Sequence, residues 1–223
     1  MRYFPDVSDF NIDTTAGKAQ YLAHSDLEPV EFLIEHNEAT LNGTINHLGS
    51  EIRKYDENHM MRESAECSNM QMIMASRVCS LSYQSVLLII VSLLEEAFKC
   101  WCRILAQTDV SIQSFNAYQN HHKGADLETA FGYIQTNSTT KGITDDALWE
   151  KITAIRAARN AIVHCGGRVP EAKRELLKKY KIGMREEDFS VYIDAETIKD
   201  IFNSVMTFMD RIFNKGIKDE IEE

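Results

Sequence analysis

Apolar residues recur along much of the chain at the three- and four-residue spacings of α-helices. The narrowest of these seams predicts a long helix that begins near Pro29, and its members are Leu41, Ile45, Leu48, Ile52 and Tyr55. A second helix is predicted from about Met70 to Ala106, and residues 86–94 are apolar nearly all round, which is typical of the middle of a bundle. Residues 30–169 contain no proline, which favours helices over a turn-rich β fold.

Further helices are predicted in the carboxyl-terminal half of the chain. They cover about 126–135, 147–165 and 170–179, followed by a short extended piece at 191–193 and a final helix capped by Asp194. Gly166 and Gly167 are expected to end the helix before them, because glycine adopts left-handed backbone conformations without strain. These patterns predict an all-α fold, an up-and-down helical bundle with a long amino-terminal helix. Residues 1–27 are predicted to be irregular, and residues 28–223 to form one α-helical domain.

The charge, the cysteine content and the longest apolar run of the sequence exclude several classes of function. The 24 Lys and Arg residues against 34 Asp and Glu give a formal net charge of −10, which argues against broad, non-specific coating of nucleic acids. A phosphate site must then be a local cluster, and the basic cluster of the sequence lies at 173–181. The five cysteines form no paired framework and predict reduced thiols in a cytoplasmic protein. No secretion signal is expected, and the most apolar run, 86–94, is too short to span a bilayer, so no membrane partner is predicted.

The residues with candidate chemistry lie in the helix predicted over 147–165. One side of this helix is an apolar stripe formed by Leu148, Ile152, Ile155 and Ile162. Arg159 falls within that stripe, and a guanidinium there needs a polar partner or an interface. Glu95, which lies in the apolar stripe of the preceding long helix, is the predicted partner. Asn160 and His164 are four residues apart and share another face. On spacing alone, a structural ion pair and a histidine near a helix end are the simpler interpretation.

A resemblance to a known family changes that balance. The stretch RNAIVHCGG, which begins at Arg159 and ends at Gly167, follows an aromatic-led amphipathic helix, LWEKITAIRAA. It resembles the Arg-polar-x-x-x-His signature of ribonucleases in the HEPN superfamily, the higher eukaryotes and prokaryotes nucleotide-binding fold. The upstream SLLEEAFK is similar to another conserved helix of that family. The resemblance covers about residues 70–214 and leaves the first 69 unexplained.

The resemblance implies a metal-independent endoribonuclease of the toxin or antiviral-defence type, which uses the 2′-hydroxyl of RNA as the nucleophile. Arg159, Asn160 and His164 are the implied catalytic residues, and Glu95 supports Arg159. No cofactor or metal is predicted, and the adjacent His121 and His122 cannot both face one ion from a regular helix. Further RNA contacts are predicted at His121, His122, Lys123, Gly166, Gly167 and Arg168.

The predicted partners are RNA, a second copy of the chain whose motif lines the same cleft, and an antitoxin or regulatory protein. Two alternatives stay open. In one, the domain is non-catalytic, and Arg159 and His164 hold a dimer or a bound nucleotide together. In the other, the chain is a helical partner-binding module, with the seam at residues 41–55 as its contact surface.

Overall fold

A computed structural model describes residues 7–122, 124 and 126–222, and the chain is almost entirely helical there. Its described α-helices are α1 Thr15–Glu57, α2 Met61–Ile73, α3 Cys79–Thr108, α4 Phe115–His121, α5 Asp126–Asn137, α6 Trp149–His164, α7 Glu171–Lys179 and α8 Ala195–Ile221. Helices account for 79% of the structure, and the described residues form isolated β-bridges but no strand. The prediction of an all-α protein is therefore confirmed.

Helix α1 begins earlier than the sequence predicts. The irregular segment predicted over 1–27 is wrong for residues 15–27, which belong to α1, so that Pro29 lies inside a helix and not in its first turn. A proline removes one backbone hydrogen bond of a helix, and packing on both sides can offset that loss. Such packing is present before the proline, where the buried residues Ala16, Ala19, Ala23 and Leu27 recur at helical spacing. Residues 1–6 lie outside the described residues.

The second long helix also begins earlier than predicted. Helix α2 starts at Met61, nine residues before the predicted Met70, and a five-residue π-helical turn, Met74–Val78, joins it to α3. Within that turn the backbone carbonyl of Ser76 accepts a hydrogen bond of 2.9 Å from the guanidinium of Arg185.

The continuous helix Met61–Thr108 is long and apolar enough, by length and composition alone, to cross a bilayer. Its most apolar 18-residue window has a mean hydropathy of 1.8 and is 39% buried within the protein. The buried core helix of a soluble protein passes the same test, so this helix is weak evidence for a membrane. The cytoplasmic location stays a prediction.

The chain divides into two compact units, each built from separate segments. The first unit contains residues up to Pro29, Ile89–Thr153 and the residues from Phe202 onward. The second unit contains Val30–Leu88 and Ala154–Ile201. The single domain over 28–223 and its up-and-down topology stay predictions.

Aromatic side chains fill the core of the first unit. The Phe98 ring stacks on Phe213 at 5.2 Å and meets Phe131 edge-on at 4.9 Å. Trp101 is fully buried against Phe213, and Trp149 packs on Phe131 while remaining half-buried. Aromatic side chains bury large apolar areas, so this cluster supplies much of the hydrophobic stabilisation of the unit.

A carboxylate from the other end of the chain caps the start of α1. The side chain of Glu220 accepts hydrogen bonds from the backbone N–H groups of Thr15, at 2.7 Å, and Ala16, at 3.1 Å. The Thr15 hydroxyl also donates to Glu220 and accepts a bond of 3.0 Å from the indole N–H of Trp101. Because the first N–H groups of a helix have no partner within it, a carboxylate at this end satisfies them and complements the helix dipole.

Replacing Glu220 by alanine is expected to lower the free energy of unfolding by about 1–2 kcal/mol, since two N–H groups lose their acceptor. Urea unfolding followed by circular dichroism measures the change. Glu222→Ala is the matched control, because the side chain of Glu222 forms an exposed ion pair with Lys218 at 3.7 Å. Such pairs are worth about 0–1 kcal/mol, so equal losses in the two variants would contradict the capping role.

In the second unit, α3 fixes the segment that follows α7. The side-chain amide of Gln84 donates to the backbone carbonyl of Val191 at 2.7 Å, and the N–H of Ile193 donates to the hydroxyl of Ser80 at 3.2 Å. Antiparallel bridges join Arg168 to Ser190 and Met184 to Val191, so that within the predicted extended piece at 191–193 only Val191 forms a bridge. These hydrogen bonds and bridges attach the segment that follows the RNAIVHCGG stretch to α3 in the second unit.

Two further predictions can be compared with the structure. Asp194 caps α8 as predicted, because its carboxylate accepts a 2.8 Å hydrogen bond from the N–H of Thr197. The α1 seam at 41–55 is only partly covered: Leu41 is buried and its other members are half-buried. Helix α2 contacts this seam, since the side chain of Gln71 donates to the Ile45 carbonyl at 3.0 Å.

Candidate active site

The side chains at the carboxyl-terminal end of α6 are exposed, whereas those in the middle of the helix are buried. Asp146 precedes the helix, and its carboxylate accepts a 2.8 Å hydrogen bond from the N–H of Leu148. In the predicted apolar stripe Ile152 and Ile155 are fully buried, whereas Leu148, Arg159 and Ile162 are half-buried. The last turn of α6 thus leaves the core, and the candidate catalytic residues lie at this transition.

The three implied catalytic residues occupy the last two turns of α6. The guanidinium of Arg159 donates a 3.0 Å hydrogen bond to the side-chain oxygen of Asn160. Asn160 and His164 are both exposed, and they are four residues apart on the same side of the helix. The last two turns of α6 therefore hold an exposed imidazole and an exposed amide, and the amide is hydrogen-bonded to a half-buried guanidinium.

Sequence reasoning missed Arg156. It lies four residues before Asn160 and eight before His164, so the three residues form a row at helical spacing. Unlike the other two, Arg156 is buried, with 7% of the residue exposed. The i, i+4, i+8 spacing is visible in the sequence, whereas the burial of Arg156 is not.

Gly166 and Gly167 end α6, as predicted. Both have left-handed backbone angles, with φ of 58° and 86°, and the N–H of Gly167 donates to the Ala161 carbonyl at 2.9 Å. A Cβ added to either residue would meet nothing within 4 Å, so backbone conformation and not crowding requires glycine here. The open space also leaves this backbone accessible, although an approach of RNA to it stays a prediction.

The segment after these glycines is basic and tethered. The backbone of Val169 donates to the Phe189 carbonyl at 3.0 Å, and the guanidinium of Arg174 lies 3.6 Å from the centre of the Phe189 ring. Between residues 156 and 185 the sequence has nine Lys and Arg residues and two Asp and Glu residues, in a chain of net charge −10. Positive charge is therefore concentrated around the end of α6 along the chain.

One carboxylate in this segment has a lowered pKa. Hydrogen bonds from Ser190, followed by the nearby guanidinium groups of Arg185 and Arg168, lower the pKa of the exposed Asp188. Arg168, a predicted RNA contact, is itself exposed directly after Gly167.

Glu95 is half-buried in α3, and its pairing with Arg159 stays a prediction. The neighbouring Glu96 has a different role, because it forms an ion pair with Arg103 on the exposed side of the same helix. This agrees with the sequence pattern, in which Glu96 points away from the stripe that contains Glu95.

The two predicted histidine contacts lie in the first unit, whereas the α6 motif lies in the second. His121 is the last residue of α4 and is exposed. The His122 ring stacks on Tyr118 at 3.7 Å, and its Nδ1 lies 2.9 Å from the carbonyl oxygen of Tyr118. Lys123 lies outside the described residues, and contact of any of the three with RNA stays a prediction.

Within the part of the chain that the structure describes, no group of three or more His, Cys, Asp or Glu side chains is arranged to hold a metal ion. Comparison with protein-family models, curated proteins and solved structures finds no match to this chain. The resemblance to the HEPN superfamily therefore rests on the residues of the α6 motif and on the helices around it.

The cysteines provide a chemical probe of this site. Cys165 is exposed directly after His164, whereas Cys102 is buried in α3, where burial raises the pKa of its thiol. We expect iodoacetamide to modify Cys165 first in the folded protein and Cys102 only after unfolding, because alkylation requires an accessible thiolate. Peptide mass spectrometry after timed labelling measures this order. Early labelling of Cys102 would contradict the burial, and Cys165→Ser should remove the fast phase.

Proposed function

We propose that the protein is a metal-independent endoribonuclease of the HEPN type, acting in the cytoplasm as a toxin or in antiviral defence. The observation that carries this proposal is the exposed imidazole of His164 one turn after the hydrogen-bonded Arg159 and Asn160. The basic character of the surrounding segment supports RNA as the substrate, since phosphate contacts dominate nucleic-acid affinity.

The residues match the needs of cleavage through the 2′-hydroxyl. In that reaction a base takes the proton of the 2′-hydroxyl, the 2′-oxygen bonds to phosphorus, and the bond to the 5′-oxygen breaks as an acid protonates it. An imidazole titrates near neutral pH and can serve as base or acid. The Arg159 guanidinium would stabilise the negative charge that builds up on the phosphate. Asn160 would hold the guanidinium in position.

A second copy of the chain would complete the site. Cleavage needs a base and an acid at the same time, and each chain supplies one His164 at this end of α6. A two-fold cleft lined by both motifs would provide both imidazoles. Light scattering tests this part of the proposal, and a strictly monomeric, fully active protein would overturn it.

The decisive experiment is a digestion of single-stranded RNA by the purified protein in excess EDTA. We expect products that end in a 2′,3′-cyclic phosphate and no loss of activity with the chelator. Absence of cleavage on RNAs covering all four bases, or activity that EDTA removes, would reject the proposal. Slowed host growth on expression would support the toxin role.

A second candidate function, a helical partner-binding module, is favoured by apolar side chains on the surface of the second unit. Phe32 is 70% exposed, Met61 75%, Met72 62% and Leu81 60%. Contiguous patches of exposed apolar side chains are typical of protein–protein contact sites. Co-purification with one defined second polypeptide, together with no RNA cleavage, would favour this candidate.

A further inference from the structure

We propose that a pocket in the first unit binds a small organic cation that carries a guanidinium or primary ammonium group. The pocket has a volume of about 470 Å³ and lies among the residues before α1, the first turns of α1 and the last turns of α8. Small-molecule sites typically measure about 300–1,000 Å³, so this space suits a compact organic ligand. Every described residue that lines it belongs to the first unit, and the candidate nuclease residues belong to the second.

A polar cluster forms one wall of the pocket. One carboxylate oxygen of Asp210 accepts hydrogen bonds from His24, whose Nε2 lies at 2.7 Å, and from the side-chain amide of Gln20 at 3.0 Å. Gln20 and His24 are one turn apart on α1, so they present their donors on the same face. Gln20 is 7% exposed, and the side chains of His24 and Asp210 are 18% and 39% exposed. The cluster is therefore fixed in place and still reaches the pocket.

These hydrogen bonds leave acceptors in the pocket. The second carboxylate oxygen of Asp210 and the side-chain oxygen of Gln20 accept no hydrogen bond from any described residue. Asp9 adds a second carboxylate to the lining, and none of the described lining residues is a lysine or an arginine. The two unused acceptors, one of them a carboxylate oxygen, select a ligand that donates hydrogen bonds and carries positive charge.

Phe10 adds an apolar surface to this wall. Phe10 lines the pocket, and its ring packs against the His24 ring at 5.2 Å and against the Tyr21 ring at 5.6 Å. An aromatic face attracts guanidinium and ammonium groups through its quadrupole, and it also contacts the carbon atoms attached to them. The combination of carboxylates with one aromatic ring therefore favours an organic cation over a bare metal ion.

The test is isothermal titration of the full chain with butylguanidinium at low salt. Butylurea, which has a similar shape without the charge, is the matched ligand control. We expect saturable binding of butylguanidinium to one site per chain, and binding of butylurea at least about ten-fold weaker, because a charge-assisted hydrogen bond is lost.

Three variants locate the binding. Asp210→Asn and Asp9→Asn should each weaken butylguanidinium binding about ten-fold or more. Asp26→Asn makes the same charge change at an exposed position of α1 that does not line the pocket, and it should leave the affinity unchanged. Circular dichroism checks that each variant is folded. If Asp210→Asn unfolds, Asp9→Asn decides the question, because Asp9 is exposed.

Two results would overturn the proposal. One is no saturable binding of butylguanidinium at millimolar concentrations. The other is an equal loss of affinity in Asp9→Asn and Asp26→Asn, which would show diffuse attraction to an acidic protein. Neither result depends on nuclease activity, so the outcome is independent of the proposed function.

Discussion

Replacing His164 by alanine is expected to lower the rate of RNA cleavage in EDTA by at least about 100-fold, because acid–base catalysis by a positioned side chain contributes about 10²–10⁴-fold. The side chain is exposed at the end of α6, so its removal should leave the helical content and the unfolding midpoint unchanged. Single-turnover assays of wild type and variant measure the chemical step directly.

The control for this prediction is His47→Ala, which removes another exposed histidine, from α1. It should retain wild-type cleavage. Arg159→Ala should lose about 10²-fold or more, as expected for a group that stabilises transition-state charge, and Asn160→Ala should lose less because it acts through Arg159. If His164→Ala kept at least half of the wild-type rate while the wild type cleaved RNA, the assignment of His164 would be wrong even though the protein is a nuclease.

Alanine at Gly216 and alanine at Gly43 are expected to change stability in opposite directions. A Cβ at Gly216 in α8 would lie 2.5 Å from Trp101 Cη2 and 2.9 Å from the Cβ of Ala16. Trp101 is fully buried and is held through its indole N–H by Thr15, so it cannot move away easily. We expect Gly216→Ala to lower the free energy of unfolding by about 2 kcal/mol, as overpacked cores do.

Gly43 provides the matched control inside α1. It is exposed, and a Cβ there would meet nothing within 4 Å. Because alanine restricts the unfolded chain and has a higher helix propensity than glycine, Gly43→Ala should raise the free energy of unfolding by about 1 kcal/mol. Thermal and urea unfolding measure both changes. Equal shifts in the two variants would mean that the close packing of α8 on Trp101 is absent in solution.

The sequence predicted elements well where the signal is local. The end of α6 at Gly166, the capping of α8 by Asp194 and the apolar character of α3 each depend on residues within a turn or two of one another. The order Arg159, Asn160, His164 is likewise a local pattern on a helix. Such features follow from backbone preferences and helical spacing, which the tertiary structure here does not override.

The prediction from the sequence was wrong at the start of α1, where the buried face of the helix consists mostly of alanines. Ala16, Ala19 and Ala23 belong to a buried face of α1, although residues 1–27 are predicted to be irregular. Alanine is the best helix former and permits close approach of neighbouring helices. The burial of Arg156 could not be predicted either, because it depends on the elements that surround α6 and not on helical spacing.

What the sequence by itself determined is the helical class, the ends of several helices and the concentration of positive charge around the α6 motif, since these depend on near neighbours in the chain. The tertiary structure alone decided that Glu220 caps Thr15, that Gly216 lies against Trp101, and that Gln20 and Asp210 meet across 190 residues. Contacts between residues this far apart arise from the packing of whole helices, and short-range spacing in a single sequence contains no information about which distant helix provides the partner.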